Sequence, residues 1–174
     1  SAFLLELSGI ATPRAAAAGK RVEGGVVRCS YLVSERVRDA RHIDVAIGEA
    51  EPVGRAVLIE ATGALIGALH AQGIAHRDLK AGNIVVDADL APWLVDLDGL
   101  RLRRAVAPPR AAYDLARLFR DLRARSHVSA QEERALISAY VRAARLAEAD
   151  ASPLLALIER APRLGDQARS DATD

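Results

Sequence analysis

The clearest hydrophobic periodicity of the chain lies between residues 54 and 72. Apolar side chains recur there every three or four positions, as on one face of an α-helix. The residues of this face are Val57, Leu58, Ala61, Leu65, Ala68 and Leu69. Gly73 follows as a predicted C-cap. Polar residues interrupt the apolar stretch 56–75 at Glu60, His70 and Gln72, so we predict a buried helix and no membrane span.

The rest of the chain contains segments with the sequence patterns of strands and others with those of helices. β-Branched residues over 26–33, preceded by Gly24-Gly25, predict a hairpin over roughly 14–33. A helix end is expected at Phe3–Leu7, terminated by Gly9, and a connector with one short helix at 34–53. Two short strands, at 84–86 and 93–95, are joined by an Asp-rich turn. Three helices are predicted near 112–125, 130–147 and 152–160, before a polar tail at 165–174.

Composition restricts the classes of protein that fit. The 174 residues are 51% apolar, which suits one folded domain, and the formal net charge of +1 predicts no nucleic-acid partner. A single cysteine, Cys29, rules out a disulfide within the chain and favours the cytoplasm; its apolar neighbours predict a buried position. The chain starts with Ser and contains no Met, so we expect a fragment of a longer protein.

The candidate chemistry lies between residues 73 and 99. His76-Arg77-Asp78-Leu79-Lys80 is followed by Asn83 and by Asp96. Phosphoryl transfer requires a carboxylate that orients the attacking hydroxyl, a cation near the moving phosphoryl group, and oxygen ligands for magnesium. The carboxylate would be Asp78, the cation Lys80, and the magnesium ligands Asn83 and Asp96. This set predicts a kinase that uses ATP and Mg²⁺. His76 is expected to pack and hydrogen-bond the loop, with no role as a base.

This segment resembles the catalytic loop of protein kinases, H-R-D-L-x-x-x-N, followed by the metal-binding Asp. In place of Asp-Phe-Gly the chain has Asp96-Leu97-Asp98 before Gly99, which is similar to the lipopolysaccharide kinase family. Gly9–Pro13 and Asp114–Leu118 also resemble segments of that family. The resemblance covers roughly residues 4–125 and implies an α+β, protein-kinase-like fold.

The resemblance implies a division of the chain. Residues 1–37 would be the remnant of an N-lobe, 38–164 a mostly helical C-lobe, and 165–174 the tail. Backbone groups of Glu35 and Val37 would face adenine at the hinge. The Gly-rich loop, the strand lysine and its paired glutamate do not occur in the chain, so we expect the chain alone to be inactive.

The acceptor implied by the resemblance is a sugar hydroxyl of the lipopolysaccharide inner core. An anionic sugar or glycolipid at the cytosolic face of the inner membrane would be the partner, besides ATP. The basic residues of one stretch could meet its phosphates, or form a solvated loop. They are Arg101, Arg103, Arg104 and Arg110. Asp98 could serve metal or substrate, or cap a turn.

Three alternatives remain at this point. An atypical Ser/Thr protein kinase would share the catalytic loop, although no Ala-Pro-Glu follows Asp98. Small-molecule kinases of the aminoglycoside or choline type usually carry Gly at the position of Arg77. A pseudokinase would bind a partner or nucleotide without turnover. Trp93 is expected in the core beneath the metal-binding strand, and His42, His70 and His127 receive no role.

Overall fold

The computed structural model of the chain describes residue 5 and residues 9–170, with side-chain surroundings up to residue 161. Leu5 is helical and fully buried, and its carbonyl accepts a hydrogen bond from the Ile10 N–H at 3.0 Å. Gly9 between them has φ +68°, which is the left-handed cap of a Schellman motif. The predicted helix end at Gly9 is confirmed, whereas Phe3, Leu4 and Leu7 lie outside the described residues.

An antiparallel hairpin follows, made of β1 (Ala15–Glu23) and β2 (Val26–Ser34). Gly24 and Gly25 join the strands with φ +57° and +78°, as a type I′ turn requires. The hairpin forms where the sequence predicted it. Its residues are nearly all exposed, because no other described element covers either face. The prediction of a buried Cys29 was therefore wrong: this side chain is only half-buried.

The helical part of the chain begins with β3 (Arg41–His42), α1 (Ile43–Glu49) and α2 (Pro52–Ala71). Among the described helices, α2 is long and apolar enough to cross a membrane by length and composition. One face of α2, however, packs in the core with α4 (Ala130–Ala143), and Leu58, Ile59, Ile66 and Leu69 on that face are each at most 1% exposed. The predicted buried helix is confirmed, but the core covers a different face from the predicted one: Val57 is 48% exposed, and Ala61, Leu65 and Ala68 are only half-buried.

Short strands between α2 and the next helix hold the chemistry-bearing segment. β4 (Ile74–His76) pairs antiparallel with β7 (Leu100–Leu102). β5 (Ile84–Val86) lies between β3 and β6 (Pro92–Leu94) in a second, three-stranded sheet. These two small sheets place the loop after β4 beside the loop after β6, which brings residues 76–83 close to residues 95–99.

Three helices complete the α+β fold: α3 (Pro108–Ser126), α4, and α5 (Ala151–Ser170). α3 begins earlier than predicted, because Pro108 suits the first helical position. α4 ends at Ala143, and Arg145 then adopts φ +58°. α5 continues well past its predicted end at 160, into the segment expected to be a polar tail. Leu118 and Phe119 of α3, Leu136 and Tyr140 of α4, and Leu154 of α5 belong to one hydrophobic core.

Candidate active site

His76 organises the loop of residues 76–83, which we term the catalytic loop. Its ring is fully buried and accepts a hydrogen bond from the Asp78 N–H at Nδ1, at 3.1 Å. Nδ1 therefore carries no proton, and Nε2–H donates to the Asp96 carbonyl at 3.0 Å. Burial lowers the pKa of His76, although the Asp96 carbonyl and three nearby carboxylates oppose the shift. A neutral imidazole thus ties Asp78 to Asp96, as the sequence predicted for a structural histidine.

Both carboxylate oxygens of Asp78 are paired with cations. Lys80 Nζ donates to Oδ2 at 2.8 Å, and a guanidinium nitrogen of Arg117 forms an ion pair with Oδ1. The hydrogen bond from Lys80 and the charge of Arg117 lower the pKa of Asp78, and its carboxylate raises the pKa of Lys80. Asp78 is half-buried, so its charge is available at the surface of the loop.

Asn83 is oriented by the same loop. Its Nδ2 donates to the Asp78 carbonyl at 2.8 Å, and the residue is 4% exposed. With its nitrogen fixed in this way, the amide presents Oδ1 as the atom that can accept from or bind a cation. The Val95 N–H donates to the Asn83 carbonyl at 2.9 Å, which places Asn83 next to the strand end that carries Asp96.

Asp96 adopts an unusual backbone conformation. Its φ of 58° and ψ of 70° lie in the left-handed region, which costs free energy for a residue with a side chain but is tolerated best by Asp and Asn. The contact of its carbonyl with His76 helps to hold this conformation. A short 3₁₀ turn, Leu97–Gly99, follows and carries Asp98. Backbone strain at this position suits a functional residue.

One side of α3 holds the catalytic loop through polar contacts, and we term these residues the α3 stripe. Its members are Arg110, Asp114, Arg117 and Asp121. Their spacing of four, three and four positions places them on one helical face. Their partners follow one another along the loop. Arg110 and Asp114 bind the main chain of His76, Arg117 pairs with the Asp78 carboxylate, and Asp121 accepts from the Ala81 N–H.

Asp114 is the buried centre of this contact. Its Oδ2 accepts from the His76 N–H at 3.2 Å, and its Oδ1 lies 2.7 Å from Arg110. His70 Nε2 lies 3.4 Å from Oδ2, and His70 Nδ1 lies 2.9 Å from the hydroxyl of Tyr140. Burial raises the pKa of Tyr140, and the Asp114 charge adds to the shift. His70, which had no predicted role, therefore links α2, α3 and α4 behind the catalytic loop.

Two cavities lie beside the hairpin and the segments that adjoin it. One of about 750 Å³ lies between the hairpin and residues 95–98, and Asp96, Asp98 and Lys20 line it. The second, of about 600 Å³, is lined by Glu35, Val37 and the turn at residues 87–89. The structure therefore brings Asp78, Lys80, Asn83 and Asp96 together, whereas Glu35 and Val37 line a separate cavity.

Two further predictions concern the edge of the site. Trp93 is only half-buried, and its indole N–H donates to Asp87 Oδ2 at 2.8 Å, so the predicted core position was wrong. Asp87 also accepts from two main-chain N–H groups of its own turn, which fixes the indole at the edge of the sheet. Arg101, Arg103 and Arg104 are exposed, whereas Arg110 is half-buried against His76 and belongs to the α3 stripe.

Known proteins resemble this chain over the part that contains the site. A family model described as "Lipopolysaccharide kinase (Kdo/WaaP) family" matches residues 4–140. Two proteins named 3-deoxy-D-manno-octulosonic acid kinase, from Xanthomonas euvesicatoria pv. vesicatoria (strain 85-10) and Xanthomonas campestris pv. campestris (strain B100), are 38% identical over 110 residues. That match covers 63% of this chain and 42% of each relative. A protein of the same name from Stenotrophomonas maltophilia (strain K279a) is 35% identical, with the same coverage. The matched part of the chain thus spans less than half the length of these curated relatives.

Proposed function

The chain belongs to the lipopolysaccharide kinase (Kdo/WaaP) family, and from this membership we propose that it forms the helical lobe of an ATP-dependent sugar kinase with a protein-kinase-like fold. The observation that carries the proposal is the arrangement around Asp78. The Asp78 carboxylate pairs with Lys80, the buried His76 holds the Asp78 main-chain N–H, and Asn83 lies on the same loop. These groups are the ones that transfer of a phosphoryl group to an alcohol requires.

In the proposed reaction, Asp78 orients the acceptor hydroxyl and takes up its proton. The bond between the γ-phosphorus of ATP and the β,γ-bridging oxygen breaks, while a bond forms between that phosphorus and the acceptor oxygen; ADP leaves. Lys80 moves from Asp78 Oδ2 to the phosphoryl oxygens, where its charge offsets the developing negative charge. This exchange also frees Oδ2 for the acceptor hydroxyl.

The residues present fit a magnesium site. The amide nitrogen of the buried Asn83 is fixed by the Asp78 carbonyl, and Asp96, with its left-handed backbone, lines the 750 Å³ cavity. We assign Asn83 Oδ1 and the Asp96 carboxylate as the ligands, with phosphate oxygens and water completing the oxygen set that Mg²⁺ prefers. When bound, the metal would neutralise charge on the nucleotide phosphates.

For the nucleotide base, we retain the hinge assignment of Glu35 and Val37. The Glu35 N–H donates to the Arg14 carbonyl at 2.9 Å, so Glu35 would offer its carbonyl to adenine and Val37 its N–H. Both residues line the 600 Å³ cavity. The chain by itself is expected to be silent in turnover, because its sequence contains no Gly-rich loop motif to fix the nucleotide phosphates from the other side.

We propose an anionic glycolipid of the inner core as the acceptor, at the cytosolic face of the inner membrane. The support comes from the relatives named 3-deoxy-D-manno-octulosonic acid kinase, a name that specifies an acidic sugar as their substrate. Arg101, Arg103 and Arg104 are exposed immediately after the Asp96–Gly99 segment, where they could bind acceptor phosphates or carboxylates.

The test is a transfer assay with γ-labelled ATP and the full-length protein that carries this chain. Lipid A bearing 3-deoxy-D-manno-octulosonic acid is the expected acceptor; lipid A without that sugar is the matched control, and a generic protein is the competitor. Label on the sugar-bearing lipid alone supports the proposal. Label on the protein alone contradicts the sugar-kinase assignment, and absence of transfer to any acceptor contradicts the kinase assignment.

A further inference from the structure

The two cations on Asp78 differ in how firmly they are held. Lys80 comes from the catalytic loop itself, and its side chain is 44% exposed. Arg117 comes from the middle of α3, between Leu115 and Leu118, which are both fully buried. The core therefore fixes the backbone of Arg117, whereas the Lys80 ammonium can leave Asp78 by rotation about its own side-chain bonds.

Neighbours of Arg117 on α3 fix its side chain as well. The guanidinium lies 6.0 Å from the centre of the Tyr113 ring, within range of a cation–π contact, and one nitrogen lies 3.4 Å from the Tyr113 hydroxyl. Arg110 lies 5.2 Å from the centre of the same ring. A tyrosine between two arginines thus limits the positions that the Arg117 guanidinium can take.

From this geometry we propose that Arg117 is the positioning residue of the reaction: it keeps Asp78 Oδ1 fixed on α3 while Lys80 leaves Oδ2, so that Oδ2 alone faces the acceptor hydroxyl. The inference rests on the proposed function. A carboxylate released by Lys80 and lacking Arg117 would rotate about its side-chain torsions, and a misplacement of about 1 Å can cost on the order of a hundredfold in rate.

The α3 stripe adds an independent reason. Arg110, Asp114 and Asp121 hold main-chain atoms of the loop, so they can fix the path of the backbone but not the torsions of the Asp78 side chain. Arg117 is the member of the stripe that contacts the reacting carboxylate. Its removal should therefore affect the chemical step more than the binding of nucleotide.

Arg123 provides a matched control on the same helix. Its guanidinium forms a two-point ion pair with Glu133, with a second N–O distance of 2.7 Å, and lies 5.9 Å from the centre of the Phe119 ring. Like Arg117 it pairs with a carboxylate beside an aromatic ring, but its partner lies on α4, away from the catalytic loop. Arg123→Ala thus measures the loss of such a pair without touching Asp78.

The experiment compares the full-length parent protein with Arg117→Ala, Arg117→Lys and Arg123→Ala. We expect kcat of Arg117→Ala to fall by about a hundredfold with the KM for ATP unchanged, and Arg117→Lys to retain an intermediate kcat. Guanidinium ion below denaturing concentration should restore part of the turnover of Arg117→Ala, because it can occupy the vacated place beside Oδ1. It should not raise the turnover of Arg123→Ala.

Three results separate the two hypotheses. Equal turnover of Arg117→Ala and Arg123→Ala would overturn the positioning role while leaving the kinase assignment intact. Arg117→Ala could also lose turnover that guanidinium does not restore, together with a melting temperature below that of Arg123→Ala. That result would show a structural role for Arg117 and would also overturn the positioning role. A parent protein that transfers phosphate to no acceptor would overturn the proposed function and this inference with it.

Discussion

Gly99 lies directly against the imidazole of His76. A Cβ built on Gly99 would come within 2.5 Å of Cε1 and 2.8 Å of Nδ1 of that ring. The same ring accepts from the Asp78 N–H and contacts the Asp96 carbonyl, so its position sets the relation between the candidate base and the candidate metal ligand. Glycine at position 99 is thus explained by the volume of a neighbouring side chain.

Gly99→Ala is therefore expected to displace the His76 ring and to weaken both of its hydrogen bonds. We expect turnover of the full-length protein to fall by about a hundredfold, since the separation of Asp78 and Asp96 would change. Gly48→Ala is the control, because a Cβ at position 48 meets nothing within 4 Å. Turnover of Gly99→Ala equal to that of Gly48→Ala would show that the His76 ring can move without consequence.

The contact between α2 and α4 gives a prediction about stability. A Cβ on Gly67 would lie 2.4 Å from the Tyr140 carbonyl oxygen and 2.8 Å from the Ala143 Cβ, so the helices would have to separate. We expect Gly67→Ala to lower the free energy of unfolding by about 1–3 kcal/mol. Gly54→Ala, on the same helix, meets only contacts of 3.8 Å or more and should be stabilising by about 0.5–1 kcal/mol. Urea denaturation of both variants distinguishes the two; equal midpoints would contradict the close packing.

Arg55 and Glu132 connect four helices and predict a pH dependence. Arg55 donates to the Ile47 and Ser126 carbonyls at 2.8 and 3.0 Å and forms an ion pair with Glu132. The hydrogen bond from Arg55, followed by those from Ser129, lowers the pKa of Glu132 from 4.5 to about 2. A lowered folded-state pKa means that the stabilisation is complete above pH 4.5 and is lost as the pH falls towards 2.

Glu132→Gln should accordingly lower the free energy of unfolding at pH 7 by about 1–3 kcal/mol, and by less at pH 3. Thermal unfolding of the chain at the two pH values provides the measurement. The control is Glu60→Gln, since the pair of Glu60 with Arg142 is exposed and 3.8 Å long, and should contribute little at either pH. A difference between Glu132→Gln and parent that is the same at both pH values would contradict the assignment.

Much of the fold was predictable because local rules decide it. The Gly24-Gly25 turn and the β-branched run after it determined the hairpin, and apolar spacing determined α2. The burial of individual side chains was less predictable, since it depends on contacts with residues distant in the chain. Cys29 lies in an apolar strand, yet the described residues provide nothing to cover that strand.

Some residues of the candidate site could be predicted from the sequence, whereas others could not. Asp78, Lys80, Asn83 and Asp96 lie in one short window at fixed spacing, so their motif was visible in the sequence. Arg117 and Asp121 meet the loop from a helix far along the chain, and only the tertiary fold pairs them with Asp78 and Ala81. The spacing of positions 110, 114, 117 and 121 predicts a polar helical face, and this was the sign in the sequence that these residues share a role. The spacing does not identify the segment that the face contacts.

The central claim is that Asp78 is the base of a phosphotransferase, and Asp78→Asn tests it most directly. Asparagine keeps the shape of the side chain but cannot take up the proton of the acceptor. In the full-length protein we expect kcat to fall by a factor of about 10²–10⁴ with nucleotide affinity nearly unchanged. Asp150→Asn, in the exposed turn before α5, should behave as the parent. Phosphoryl transfer by Asp78→Asn at a rate close to that of the parent would contradict the account.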